Sequence, residues 1–477
     1  MARSKNSKSK LVVAIIAFFL LLIFSPTYGV GQITYCSCAE WSNWSEMGEV
    51  KCGYLSVPED HNYAEGKSIR IAFAVFKSKN VDPEAVPVII LTGGPGVRSL
   101  TSLDRWKNHE SRAVGDLIVV EQRGIGLSSA LPDLTEKLID ILALDASSKE
   151  EVEMTKDVIR EHLIRVAAEG IDLSKYNTTQ NAKDIGMLMD ALGFQRYNLL
   201  GTSYGTKLGM MVMKYYSPKI KACILDGPAV LNNTALESRF PDLIRAFNKL
   251  YEKCDADSDC KKNHPDLRGE VLQAIQSLKR NPIAVQLLDM EFIINPQDAV
   301  YFMRYLLYRE DAFITVPSFV KAINDRDLEG VRLLSESPSR MMGSANTSAF
   351  FSFNAYEELS KDTPEKVRTY MNSKPELAEG LAWFQGFIPM LSEWHFGRVT
   401  AAENKLEGIA VPTLIITNEL DPVTPPHNTK QFENALINEH VLKLNIFGHG
   451  SGGDCIASIR TAFLLNPERP IDTHCLN

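Results

Sequence analysis

Ser203 stands in Gly201-Thr202-Ser203-Tyr204-Gly205, directly after the apolar run Tyr197 to Leu200 and before the helix-like stretch Lys207 to Tyr216. A sharp strand-to-helix turn forces unusual dihedrals on the serine and draws the chain against its neighbours, so small residues are needed two positions to either side. Such a turn lifts the hydroxyl to a helix N-terminus, where it can serve as a nucleophile. The pentapeptide string alone is common. Its placement between strand and helix gives it weight.

A serine nucleophile needs a base, and nine histidines compete for that role. His449 follows the run Val441 to Ile446 in the loop Phe447-Gly448-His449-Gly450, whose glycines let the ring reach across a sheet end. His440 precedes the same run and falls at its wrong end. His61, His109, His162, His264, His395, His427 and His474 have no comparable placement and read as surface or structural histidines. The acid that orients the base is Asp421, which follows the run Thr413 to Ile416. Asp226, beyond Ala222 to Leu225, is its competitor, and Glu419 a weaker one. Acyl transfer also needs donors for a developing oxyanion. The Tyr204 N–H is one, and the glycine-rich loop Thr92-Gly93-Gly94-Pro95-Gly96 after Val88 to Leu91 supplies the other, assigned to Gly94. This chemistry calls for no metal and no cofactor.

The elements that must position these groups read as a doubly wound α/β core. Ser68 to Phe76 alternates large apolar with small or polar residues, as a half-buried antiparallel strand does. Val88 to Leu91, Leu117 to Val120, Tyr197 to Leu200, Ala222 to Leu225, Thr413 to Ile416 and Val441 to Ile446 are short apolar runs suited to strands buried on both faces of a parallel sheet. Between them, Thr178 to Leu192 carries apolar residues at three- and four-residue spacing, with Thr178 or Thr179 as N-cap and Gly193 at its end. Strand and helix alternate until about Asn232, and the pattern resumes near Val411. Helical stretches such as Phe240 to Cys254 and Ala299 to Tyr308 fill the interval, which reads as a helical lid over 232–404 between core segments 30–231 and 405–477.

With 477 residues the chain exceeds a single core of roughly 250–300 residues, which agrees with a core plus insertion. Four basic residues (Arg3, Lys5, Lys8, Lys10) precede the apolar run Leu11 to Phe24 and then Pro26 and Gly29, the layout of a signal peptide over 1–29. That run is short for a bilayer span of roughly 20 residues. Removing the leader takes the formal charge from −8 to about −12, which disfavours nucleic acid as a partner. Export makes disulfides the expected fate of most of the eight cysteines: Cys254 with Cys260, Cys455 with Cys475, and Cys52 with either Cys36 or Cys38, while Cys223 sits in an apolar run as a buried thiol. No repeated CxxC spacing suggests zinc.

At these residues the chain resembles the prolyl aminopeptidase and tripeptidyl aminopeptidase family of serine exopeptidases, which have the α/β-hydrolase fold. The resemblance rests on Gly93-Gly94-Pro95-Gly96, on Glu121-Gln122-Arg123-Gly124, on Tyr176-Asn177-Thr178-Thr179, on Gly201 to Gly205, and on Asp421 and Gly448-His449-Gly450 followed by a late cysteine pair. Thr92 stands where prolyl aminopeptidases have a histidine, which secreted tripeptidyl-type members also lack, and Glu121 replaces the usual aspartate. The resemblance implies an exported serine aminopeptidase acting on peptide substrates through an acyl-enzyme on Ser203, with the lid limiting access. It also places Glu393, beside Trp394, where a carboxylate could hold the substrate ammonium. An esterase or amidase using the same three residues is the alternative, because the fold hosts many chemistries. A catalytically silent binding protein is the reading from outside enzymes.

Overall fold

The computed structural model describes residues 31–41, 49–80, 82–231, 235–359, 363–374, 377, 380–381, 388, 390–394, 396–446 and 448–476. The leader over 1–29 and Phe447 lie outside the described residues. Eleven strands are described in chain order: β1 (Ile33–Cys36), β2 (Val50–Pro58), β3 (Ser68–Phe76), β4 (Val88–Leu91), β5 (Leu117–Val120), β6 (Tyr197–Thr202), β7 (Ile220–Asp226), β8 (Ile283–Leu287), β9 (Met290–Ile294), β10 (Thr413–Asn418) and β11 (Glu439–Leu444). Nine of them form one sheet in the order β1-β2-β3-β5-β4-β6-β7-β10-β11. From β5 to β11 every pairing is parallel, while β1, β2 and β3 run antiparallel.

The chain doubles back across the sheet at β4, which pairs with β5 on one side and β6 on the other. Loops leaving the carboxyl ends of β4 and β6 therefore part in opposite directions and open a crevice there. Both of those loops carry residues singled out above: the glycine-rich turn after β4 and Ser203 after β6. Apolar side chains fill two clusters, one on each face. Ile89, Ile118, Leu199 and Leu225 belong to one, and Ile90, Val119, Leu200 and Ile224 to the other. Successive residues of one strand thus enter opposite clusters, which is why these runs show no polar alternation.

Three details differ from the sequence reading. The helix Thr178–Ala191 is capped by Asn177, whose side chain accepts from the Gln180 N–H, rather than by either threonine. Strand β11 lies two residues earlier than expected and is not buried on both faces, because it is the sheet edge and leaves Val441 44% exposed. The insertion between β7 and β10 is mainly helical but contains the hairpin β8–β9, turned by Leu288 and Asp289 at φ 53° and 63°. No Gly or Asn marked that turn, so its sequence gave little hairpin signal.

Disulfides join Cys38 to Cys52, Cys254 to Cys260 and Cys455 to Cys475, leaving Cys36 and Cys223 as thiols. Their number agrees with an oxidising compartment. Among the described residues no helix is long and apolar enough to cross a membrane.

Candidate active site

Ser203 takes φ 57° and ψ −125° at the junction of β6 with the helix Tyr204–Tyr216. A side chain held at positive φ costs on the order of 1–3 kcal/mol, so the surroundings must over-determine it. They do so through glycine. A Cβ on Gly205 would lie 1.8 Å from the Leu91 carbonyl oxygen, and one on Gly201 would lie 2.4 Å from the Gly205 oxygen. A Gly205→Ala substitution should therefore push β6 and its helix away from β4. It is expected to cost more than about 3 kcal/mol of stability in a urea melt, above ordinary overpacking.

The Ser203 Oγ lies 2.7 Å from His449 Nε2, and His449 Nδ1 lies 2.9 Å from Asp421 Oδ2. The structure thus brings the hydroxyl, imidazole and carboxylate into one chain from three loops at the carboxyl ends of β6, β11 and β10. Asp421 is fully buried and also accepts from the Val423 N–H (2.7 Å), the Thr424 N–H (2.9 Å) and the Thr424 hydroxyl (2.8 Å). Burial alone would raise its pKa. The neighbouring His449 charge and these donors outweigh burial and hold the carboxyl below the usual value.

The histidine is fixed from several sides. Its N–H donates to the Tyr308 carbonyl at 2.9 Å, and the two rings pack 5.0 Å apart. Asn418 donates to the carbonyls of Gly448 and Gly450 at 3.1 and 2.8 Å, which pins the loop on both sides of the ring. Neither Asn418 nor Thr424 was read from the sequence. Thr424 had a signal in the Asp-Pro-Val-Thr string, where an aspartate caps the two N–H groups that follow a turn.

The competing residues have other occupations. Asp226 is buried against Arg460 and the Ser451 hydroxyl, 2.8 Å away, so its lone pairs are committed behind the site. Glu419 is exposed, and His440 lies on β11 before the loop.

Gly94 and Tyr204 flank the serine from the turn after β4 and from the start of its own helix. Tyr204 opens its helix, so its N–H has no acceptor four residues back. Among the described residues no group accepts from the Gly94 N–H, and Gly93 packs so closely on the serine that a Cβ there would lie 2.9 Å from the Ser203 Cβ. Gln122 steadies this loop by donating to the Thr92 carbonyl at 2.9 Å. The neighbouring Arg123 is wholly buried and grips Asp184 with two bonds of 2.7 Å, tying the helix Thr178–Ala191 to the strand ends.

These groups open onto a cavity of about 590 Å³, roofed by the insertion. The helix Pro296–Leu306 and the turn after it present Tyr301, Arg304, Tyr305 and Tyr308 to it, and Ile139, Leu142 and Phe351 supply apolar wall. Glu393 is not brought there. It sits on the outside, 36% exposed, in an ion pair with Arg160 at 3.3 Å. Trp394 beside it is buried in the lid, donating to the Ser352 hydroxyl at 2.9 Å and stacking on His162, so it packs on protein. Among the described residues the carboxyl group that does face the cavity is Glu151, on the helix Ser148–Ala168. Only 2% of it is exposed, and burial pushes its pKa up to about 8 despite the nearby Gln297 and Asn295 amides. Neither of its oxygens makes a hydrogen bond of good geometry among the described residues. In the sequence it is one of three acidic residues in a polar helix start, with nothing to mark it as buried.

Residues 86–451 match the family described as alpha/beta hydrolase fold. The chain belongs to the α/β-hydrolase fold family. Among curated proteins it is 24% identical over 425 residues to a tripeptidyl aminopeptidase of Streptomyces lividans, covering 82% of this chain and 76% of that one. It is 22% identical over 249 residues to the serine protease Hip1 of Mycobacterium bovis, covering 45% and 43%. Among solved structures, an α/β-hydrolase enzyme from a Medee basin deep-sea metagenome library overlays with a TM-score of 0.39 at 15% identity, covering 85% of this chain and 97% of that one. The two curated relatives are by name an aminopeptidase and a serine protease.

Proposed function

We propose that the protein is an exported serine aminopeptidase that releases short peptides, three residues in preference to one, from free N-termini. In this reading Ser203 attacks the scissile carbonyl while His449 takes its proton and later passes it to the leaving amine. Asp421 holds the ring in the tautomer that accepts from serine, and the Gly94 and Tyr204 N–H groups receive the oxyanion. The observation that carries the reading is the 2.7 and 2.9 Å chain on the wall of a cavity that also holds a buried carboxyl group with no cation beside it among the described residues. The name of the Streptomyces relative points the same way.

Glu151 is the group we assign to the substrate ammonium. Ionising a carboxyl kept from water and without a cation is costly, and an incoming ammonium supplies the missing charge. Its position favours length. Gln297 is close to Glu151 and Tyr308 packs on His449, and these residues are separated along one helix and its last turn by about 16 Å at 1.5 Å per residue. Three extended residues span about 10 Å, and an ion pair of about 3 Å with the two side chains closes the remainder. A single residue falls well short.

The test compares tripeptidyl and aminoacyl chromogenic amides with free or acetylated N-termini, alongside p-nitrophenyl esters. The free tripeptidyl amide is expected to be the best substrate, and acetylation should cost at least tenfold in kcat/KM. An acetylated substrate cleaved at the same rate, or esters alone being cleaved, overturns the reading. Glu151→Gln should reproduce the acetylation loss on free substrates while raising the melting temperature at pH 8. The sign follows from burial. A carboxyl whose folded pKa is raised opposes folding once the pH exceeds its unfolded value near 4.3, and the penalty grows until about pH 8, where it also ionises in the fold.

A further inference from the structure

Arg304 lines the same cavity, one helical turn before Tyr308. It is 8% exposed, its Nε has no hydrogen-bond partner, and its guanidinium lies over the rings of Tyr305 and Tyr308 at 5.5 and 5.2 Å. Among the described residues no carboxylate is within ion-pair distance of it. Other cations of the wall are differently placed. Arg309 is bound by Asp311 through two bonds of 2.7 and 2.6 Å, Arg239 has Glu358 at 3.7 Å, and Arg105 is exposed over the Trp106 ring. The surrounding phenols do not neutralise Arg304, since burial keeps Tyr301 and Tyr308 protonated far above their ordinary range. A buried guanidinium is retained at a cost of several kcal/mol unless an anion meets it.

We propose that Arg304 is an anion subsite: the substrate carries a carboxylate next to its scissile bond, and this guanidinium receives it. The position follows from contact. Tyr308, under the guanidinium, packs against the His449 ring, which is itself hydrogen-bonded to Ser203. A carboxylate held there lies within about one residue of the reacting carbonyl. It comes either from an acidic side chain on the acyl residue or from the terminal carboxylate of a one-residue leaving group. Planar, two-pronged donation suits either source. The inference rests on the active-site reading above for its geometry but not on the aminopeptidase assignment.

The experiment uses three pairs of substrates on the full protein. Tripeptidyl chromogenic amides ending in Glu or Gln test the acyl side. Tetrapeptides with a free or amidated C-terminus test the leaving side. The p-nitrophenyl esters of glutaric acid monoamide and glutaric acid compare neutral with anionic acyl groups and need no substrate amine. The acidic member should be favoured tenfold or more in kcat/KM in one peptide arm, which identifies the source, and in the ester pair. Arg304→Met should bring that ratio close to one, and Arg304→Lys should keep part of it, with melting curves showing that both are folded. Should Arg304→Met fail to fold, competitive inhibition of the unaltered protein decides: glutarate should inhibit at least tenfold better than glutaramide. Ratios near one in all three pairs, an undiminished preference in folded Arg304→Met, or equal inhibition by the two probes overturns the proposal. If no peptide is cleaved but the ester preference is present and depends on Arg304, the aminopeptidase reading falls and the anion subsite stands.

Discussion

Ser203→Ala should lower kcat by on the order of 10⁶ on the best substrate found, with KM changed little. The size follows from what the substitution removes. The Oγ, 2.7 Å from His449 Nε2, is the atom proposed to form the acyl-enzyme, with proton transfer to a base already in place. The proposed oxyanion donors are backbone groups of Gly94 and Tyr204 and survive the change, so about 10³–10⁴ over the uncatalysed rate should persist. The fold should survive as well, since alanine fits the Ser203 site without a new contact. Its positive φ is strained for either residue. A fluorophosphonate probe gives an independent readout, because mass spectrometry should place one adduct on Ser203 and none on the variant. Full activity in Ser203→Ala, or labelling elsewhere in the unaltered protein, would remove the basis of the mechanism.

How much of this was legible in sequence depends on the kind of constraint each residue obeys. Ser203 could be found because its turn imposes covalent-scale limits on neighbours: Gly205 has no room for a Cβ beside Leu91, and the pattern records that exclusion directly. Strands β4 to β7 and β10 were legible for a related reason, since burial on both faces keeps a run mostly apolar, with the few polar residues such as Asn198 and Thr413 buried as well. Strand β11 broke the rule because edge position is a property of topology, and its Lys443 and half-exposed Val441 became intelligible only with the strand order known. The cavity wall was least legible. Glu151 and Arg304 lie on helices that mix exposed polar residues with buried ones such as Thr155, His162, Gln297 and Asp298, and only the packing of lid on core decides that these two line the cavity. Glu393 shows the converse, an acidic residue next to a tryptophan whose ring turned inward while the carboxylate turned out to Arg160. Sequence proximity could not say which way either would point.

Asp421→Asn should lower kcat by about 10⁴, while Asp226→Asn should leave kcat within a fewfold and instead destabilise the fold. Asp226 ends β7 and Asp421 follows the neighbouring β10, so the comparison separates position on the sheet from role. Asp421 accepts from His449 Nδ1 at 2.9 Å, which keeps the proton on that nitrogen and leaves Nε2 free to accept from Ser203. An asparagine amide that turns its NH₂ towards Nδ1 selects the opposite tautomer, whose Nε2 carries a proton and cannot act as base. The Val423 and Thr424 N–H donors still find the amide oxygen, so the loop should stay in place. Some stability should nevertheless be lost near neutral pH. Asp421 has a folded pKa below its unfolded value, so its stabilising contribution is complete above the unfolded pKa of about 3.9 and disappears as pH falls through the folded one. The unaltered protein should therefore lose its advantage over Asp421→Asn in melts taken below about pH 4. Asp226, by contrast, touches no part of the histidine. Its carboxylate answers the buried Arg460 and the Ser451 hydroxyl, and removing the charge leaves that guanidinium with Glu110 at 3.3 Å as its remaining carboxylate, at a cost of up to about 3–5 kcal/mol. Equal losses of kcat in the two variants would mean that the imidazole takes its orientation from the wider network rather than from Asp421.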